Sequence, residues 1–200
     1  ILSWEDIAEK LQETKNYDIL EDFYPKLFYA DVNISNMLDI AFENFKDNNY
    51  VKVENLLNIL NQTEIHFNNK NAAKFHILKG KYNELCNQYK DAGKEYIKAY
   101  RYQSDNPKLK FYNALGLYFM GEIEESKEIC KNLLKENCDE NTYSLSVLLN
   151  NIPEDEIIDE FKSSNEVLYT LALNSYKQED YSNSSKLIDK IKFGNDVKKS

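Results

Sequence analysis

Residues 80–99 read GKYNELCNQYKDAGKEYIKA. A small residue, Gly80, comes first. A polar turn, Asn87-Gln88, then leads into Tyr89, and Ala92, Tyr96 and Ala99 follow three, seven and ten residues later. Apolar residues at three- and four-residue spacing mark helix on both sides of the turn. Small residues let two such helices approach closely, and large ones fill the space between them. The stretch therefore reads as an antiparallel helical hairpin.

The same arrangement recurs along the chain. Polar turns run into an anchor residue at Lys15-Asn16-Tyr17, Asn48-Asn49-Tyr50, Gly121-Glu122-Ile123 and Glu179-Asp180-Tyr181. With Tyr89, the five anchors lie 33, 39, 34 and 58 residues apart. Nine residues before each anchor stands a small residue: Ala8, Ala41, Gly80, Ala114 and Ala172. Three after it come Leu20, Val53, Ala92, Ser126 and Ser184; seven after it, Tyr24, Leu57, Tyr96, Cys130 and Ile188. Ten after it come Leu27, Leu60, Ala99, Leu133 and Ile191. A fixed period of this length is the signature of a stacked repeat. The repeats fall at 1–33, 34–72, 73–106, 107–140, 141–164 and 165–198, forming one repeat domain. The fifth is degenerate: a short first helix near Tyr143 to Leu149, then Pro153 opening a second helix with Ile157, Ile158 and Phe161. Gln62–Asn71 reads as an insertion. Asp105-Asn106-Pro107 marks a boundary, Ser3 with Asp6 a helix start, and Pro25 a kink or early end. Lys190 to Ser200 reads as a fraying tail.

This pattern resembles the tetratricopeptide repeat, whose units of about 34 residues carry Trp, Leu, Gly, Tyr, Ala, Phe and Pro at fixed offsets. Trp4, Ile7, Ala8, Leu11, Tyr17, Leu20, Tyr24 and Leu27 follow it in phase, and Gly80, Tyr89, Ala92, Tyr96 and Ala99 match it most closely. Lys79 stands where the family has Leu. The resemblance covers nearly the whole chain and rests on pattern rather than on one motif. It implies an all-α, right-handed α-solenoid of stacked antiparallel helix pairs, with ligands held on the concave face made by the first helix of each repeat. Projected onto this sequence, that face carries Phe42 and Phe45 in repeat two, and Ile77 and Lys81 in repeat three. Repeat four gives Phe111, Leu115, Tyr118 and Phe119, and repeat six gives Tyr169, Leu173 and Tyr176. Repeat one gives Glu5, Glu9 and Glu13. The expectation is an aromatic groove with an acidic end, suited to an amphipathic helix or an extended peptide; the competing one is that these aromatics pack between neighbouring repeats. Some family members hold a peptide's C-terminal carboxylate in a clamp of Lys, Asn and Arg. The matching positions here include Leu38, Phe42, Ile77, Leu78, Phe111 and Leu115, so that clamp is absent.

Composition narrows the function further. The chain is 30% charged and 42% hydrophobic, with a net charge of −9. Clustered cations drive phosphate binding, so this balance argues against nucleic acid and against an anionic membrane surface, while a locally basic groove stays compatible with it. No run of about 18 apolar residues is present to span a bilayer. Cys86, Cys130 and Cys138 follow no disulfide or zinc spacing and read as small packing residues, a lean towards a reducing compartment. The start at Ile1 reads as that of a fragment or a processed chain. His66 and His76 have no metal-ligand partner in sequence and read as surface or half-buried histidines. Glu154-Asp155-Glu156, Asp159-Glu160 and Glu122, Glu124 and Glu125 read as solvated acids near helix starts. Tyr17, Tyr24, Tyr50, Tyr89, Tyr96 and Tyr181 fall in the repeat columns and are expected in the core. No catalytic constellation, metal site or cofactor motif emerges. The function expected is a protein-binding scaffold or adaptor in a larger assembly, of the kind found in secretion, motility or envelope machinery. The alternative is a regulatory or recognition domain attached to an enzyme elsewhere in the parent chain.

Overall fold

The computed structural model describes residues 31–62, 67–136, 139–149, 152, 161 and 164–191. Among these every regular element is an α-helix. The helices are α1 (Asp31–Lys46), α2 (Tyr50–Gln62), α3 (Asn69–Leu85), α4 (Tyr89–Tyr102), α5 (Pro107–Met120), α6 (Ile123–Glu136), α7 (Glu140–Leu148), α8 (Asn165–Lys177) and α9 (Tyr181–Lys190). The chain divides into two compact units, Ile1–Met120 and Gly121–Ser200.

Four anchors, Tyr50, Tyr89, Ile123 and Tyr181, are each the first residue of a helix. Two residues before each stands a left-handed residue: Asn48 (φ 59°), Asn87 (φ 59°), Gly121 (φ 88°) and Glu179 (φ 65°). A left-handed residue stops a helix, and the two N–H groups around it can close onto the last carbonyls. That closure occurs three times. Asn49 donates to the Asn44 carbonyl at 2.9 Å and Asn48 to Phe45 at 3.2 Å. Gln88 donates to Asn83 at 2.8 Å and Asn87 to Glu84 at 2.9 Å. Asp180 donates to Ser175 at 2.9 Å and Glu179 to Tyr176 at 3.0 Å. Asn and Gly tolerate this conformation, whereas at Glu179 it costs about 1 kcal/mol.

Helix starts are capped where the sequence supplies a cap. The Asn68 side chain accepts from Asn71 N–H, Asp139 from Thr142, Ser164 from Val167 and Asp180 from Asn183. Pro107 opens α5 at the position where its missing N–H costs nothing. The third hairpin begins at Asn69, four residues before the expected boundary. The expected insertion is thus shorter, because Asn68 caps α3 early.

The columns of small and large residues form the interior. Ala41, Gly80, Ala114 and Ala172 are buried, as are Val53, Ala92, Ser126 and Ser184. Leu57, Tyr96 and Cys130 are buried, and so are Leu60, Ala99 and Leu133. In the first unit one cluster gathers Ile34, Leu38, Leu56 and Phe75, and another gathers Ala73, Ala92, Tyr96 and Tyr112. Within it α3 packs on α4, and α4 on α5. In the second unit Tyr143, Phe161, Leu168 and Leu187 form a cluster, with α8 packed on α7 and α9.

Several expectations need correction. The anchor tyrosines are not core residues: Tyr89 is 46% exposed, Tyr181 59%, and Tyr50 is half-buried. Each heads its helix and leans back over the turn, and the Tyr89 hydroxyl donates to Asn87 Oδ1 at 3.0 Å. In α9 the buried residue is Leu187, and Ile188 is exposed. One residue of register turns a helix position by about 100°, which moves it off the face. Cys130 is buried, but Cys86 caps the C-terminus of α3 and is exposed. The expectations for residues 1–30, including Glu5, Glu9, Glu13 and Pro25, lie outside the described residues. So do those for His66, Cys138, Pro153, Glu154-Asp155-Glu156, Ile157, Ile158, Asp159-Glu160 and the tail after Ile191.

Candidate functional site

The first unit carries an open groove of about 1040 Å³ built from α1, α3 and the start of α5. Helical spacing explains its lining. In α3, Lys70, Lys74, Ile77 and Lys81 stand four, three and four residues apart, so they share one face. In α1, Asp39, Phe42, Glu43 and Lys46 do the same. The start of α5 adds Lys108, Leu109 and Tyr112. Leu109, Tyr112, Ala73 and Ile77 are buried and form the floor; Phe42 and Phe45 are half-buried walls.

The groove is polar at its rim. Lys74 Nζ lies 2.8 Å from Asp39 Oδ1. Lys81 Nζ stands over the Tyr112 ring, 5.7 Å from its centre, a cation–π distance. Burial pushes the Tyr112 phenol above its ordinary pKa; the Lys108 cation opposes this and Glu84 adds to it. Tyr112 is thus a neutral hydroxyl at physiological pH. The arrangement offers apolar pockets, aromatic edges and ammonium donors. These are tools of recognition.

Against protein-family models, curated proteins and solved structures, the chain has no match.

Of the eleven expected binding residues, Phe42, Phe45, Ile77 and Lys81 line this groove. Phe111, Leu115 and Phe119 do not line it; they pack partly buried against the Ala92–Tyr96 cluster. Tyr118 is half-buried, its ring 5.7 Å from that of Phe119. The face of α5 in the groove is that of Lys108, Leu109 and Tyr112, and residue 111 turns away from it. Tyr169, Leu173 and Tyr176 belong to the second unit. There Tyr169 and Tyr176 are 56% and 61% exposed, and Leu173 is half-buried. Sequence reading found Lys81 and missed the other rim lysines, Lys46, Lys70, Lys74 and Lys108. Their signal was present as the 70, 74, 81 spacing, flanked by Lys46 and Lys108.

A second polar feature lies beneath the surface. His76 is buried, and its Nδ1 is 2.7 Å from Glu95 Oε2. The histidine is thus neither surface nor half-buried, and its partner comes from the next helix, nineteen residues on. Its ring stacks on Tyr102, 5.6 Å between centres. Lys98 donates to Glu95 at 3.1 Å, and Lys79 stands 3.9 Å away. Burial pushes the Glu95 carboxyl up. The His76 hydrogen bond, the Lys79 cation and the Lys98 hydrogen bond together outweigh it, and hold the pKa at about 2 against an ordinary 4.5.

A carboxyl with a depressed folded pKa stabilises the fold above its unfolded pKa, and loses that contribution as pH falls through the folded value. Glu95→Gln should therefore lower stability by about 2–3 kcal/mol at neutral pH. The gap between wild type and variant should narrow as pH falls from 4.5 towards 2. Urea unfolding of both proteins across that range measures it. A gap that is constant with pH would deny Glu95 its ionised role.

Among the described residues no group of three or more His, Cys, Asp or Glu could hold a metal ion, and no helix is long and apolar enough to cross a membrane. Glu124 pairs with Lys127 one turn on, at 3.0 Å.

Proposed function

We propose that this chain is a tetratricopeptide-like scaffold, a right-handed α-solenoid that holds a peptide or a partner helix on the surface made by the first helix of each hairpin. The observation that carries this reading is the groove across α1, α3 and α5, with its apolar floor, half-buried phenylalanines and lysine rim. A hairpin cannot bury its apolar stripe alone, so stacked hairpins make a continuous core and leave successive first helices side by side. The recurrent turn at Asn48, Asn87, Gly121 and Glu179 supports the repeat. The groove's size is at the upper end for small-ligand pockets, and its open form suits a polypeptide segment better than an enclosed small molecule. The partner is a protein, the role is adaptor or assembly scaffold, and the chain itself performs no catalysis.

The test uses peptides selected from a random display library on the immobilised full chain. Phe42→Ala should weaken their binding by about 1–3 kcal/mol, the range of aromatic hot spots. Phe42 also touches the interior clusters, so thermal melts must show that the variant is folded at the temperature of titration. Tyr96→Ala is the opposite control: it should cost about 3–5 kcal/mol of stability, and the molecules that stay folded should bind normally. Unchanged affinity in folded Phe42→Ala would remove the groove from the account.

A further inference from the structure

The lining of the groove is basic. The chain carries −9 overall. Yet among the described residues Lys46, Lys70, Lys74, Lys81 and Lys108 line the groove against only two carboxylates, Asp39 and Glu43. One of the two is already used, since Asp39 pairs with Lys74. Lys46, Lys70, Lys81 and Lys108 have no carboxylate within ion-pair distance among the described residues. Elsewhere in the first unit lysines do find carboxylates: Lys94 has Asp91, and Lys98 has Glu95. Lys70 and Lys108 each stand second in their helices, where no acidic residue accompanies them. A cation in a first turn opposes the helix dipole and costs stability. Lys70 and Lys108, so placed, lower the stability of the free protein, and an anionic ligand would offset that.

Building on the groove reading above, we infer that the partner is an acidic peptide segment in which glutamate or aspartate alternates with leucine or an aromatic residue. The apolar side chains would sit on Ile77 and Leu109 and against Phe42, and the carboxylates would meet the rim lysines. The floor is the reason to prefer a peptide over nucleic acid. A phosphate backbone would satisfy the lysines and leave Ile77, Leu109 and Phe42 without apolar partners. At physiological salt, charges act over about 8 Å, so the groove's own lysines dominate what a short ligand feels inside it.

The experiment sequences the peptides that the full chain selects from a random library, and repeats the selection with Lys70→Glu/Lys108→Glu. Both lysines are on the surface or near it, so the double variant should fold, and a melt checks that it does. The wild type should enrich acidic peptides with regularly spaced apolar residues. Their affinity should fall about tenfold or more in the double variant, and should fall as salt rises. Enrichment of neutral or basic peptides that still depend on Phe42 would overturn the acidic partner and leave the groove reading standing. Peptides indifferent to both Phe42 and the lysines would overturn both. Oligothymidylate is titrated in parallel by fluorescence anisotropy. Tighter binding of it than of any selected peptide, lost in the double variant, would overturn the inference in favour of nucleic acid.

Discussion

Ala92→Arg is expected to unfold the first compact unit or to leave it barely stable. Ala92 is 0% exposed, and it stands in the cluster with Ala73, Ile77 and Tyr96 at the meeting of α3 and α4. There is no room for a guanidinium there. Overpacking alone costs about 1–3 kcal/mol. The charge must also either stay buried without a partner, a further penalty of several kcal/mol, or reach water by prising the two helices apart. A combined loss on the order of 4 kcal/mol is a large part of the roughly 5–15 kcal/mol that holds a typical domain together. In a chain of this length it corresponds to a fall in Tm of about 10 °C. Urea unfolding followed by circular dichroism reads it. An unchanged midpoint would mean that Ala92 does not face α3.

Gly93→Ala should also destabilise, although the general rule points the other way. In a helix interior Ala is favoured over Gly by about 1 kcal/mol. Here the added methyl would lie 2.7 Å from the Gly116 carbonyl oxygen, and 3.2 Å from Met120 Cγ and Phe119 Cβ. The first of these is backbone and cannot swing away, so α4 and α5 must separate. Reciprocally, a methyl on Gly116 would lie 2.8 Å from the Gly93 carbonyl oxygen. The two glycines let the helices cross with backbones nearly in contact. The strain of forcing them apart, about 3 kcal/mol at the upper end of the overpacking range, exceeds the propensity gain. The net expectation is a loss of about 2 kcal/mol. Equilibrium unfolding of the single variant decides the sign, and stabilisation would show that α5 does not approach α4 this closely.

The hairpins were legible in the sequence because their punctuation is local. A left-handed stop needs Asn or Gly, and Asn48, Asn87 and Gly121 provide it; the helix then restarts two residues later at the anchor. The columns beginning at Ala41, Gly80 and Ala114 could be read for the same reason, since a small residue at a helix contact is dictated by its immediate neighbours. The groove was half legible. Phe42, Phe45, Ile77 and Lys81 were placed on it by projecting the first helices of repeats two and three. Phe111, Leu115, Tyr118 and Phe119 lie off it because α5 presents the face of Leu109 and Tyr112, and a helix in which both faces carry large apolar residues gives no sign of which one is inward. Apart from Lys81, the rim lysines were passed over because a lysine on a helix looks the same in sequence whether it meets solvent or a ligand. The His76–Glu95 pair was hidden for a different reason. It depends on two helices docking, and no local spacing encodes it.

The proposal above places the partner in the groove of α1, α3 and α5, and not on the exposed tyrosines of the second unit. Its most direct measurement is calorimetric titration of one selected peptide into two variants of the full chain, Phe42→Ala and Tyr176→Ala. Phe42 lines the groove, and Tyr176 is 61% exposed on α8. The Kd is expected to rise about tenfold or more for Phe42→Ala and to stay unchanged for Tyr176→Ala. The reverse pattern, with Tyr176 required and Phe42 dispensable, would contradict it.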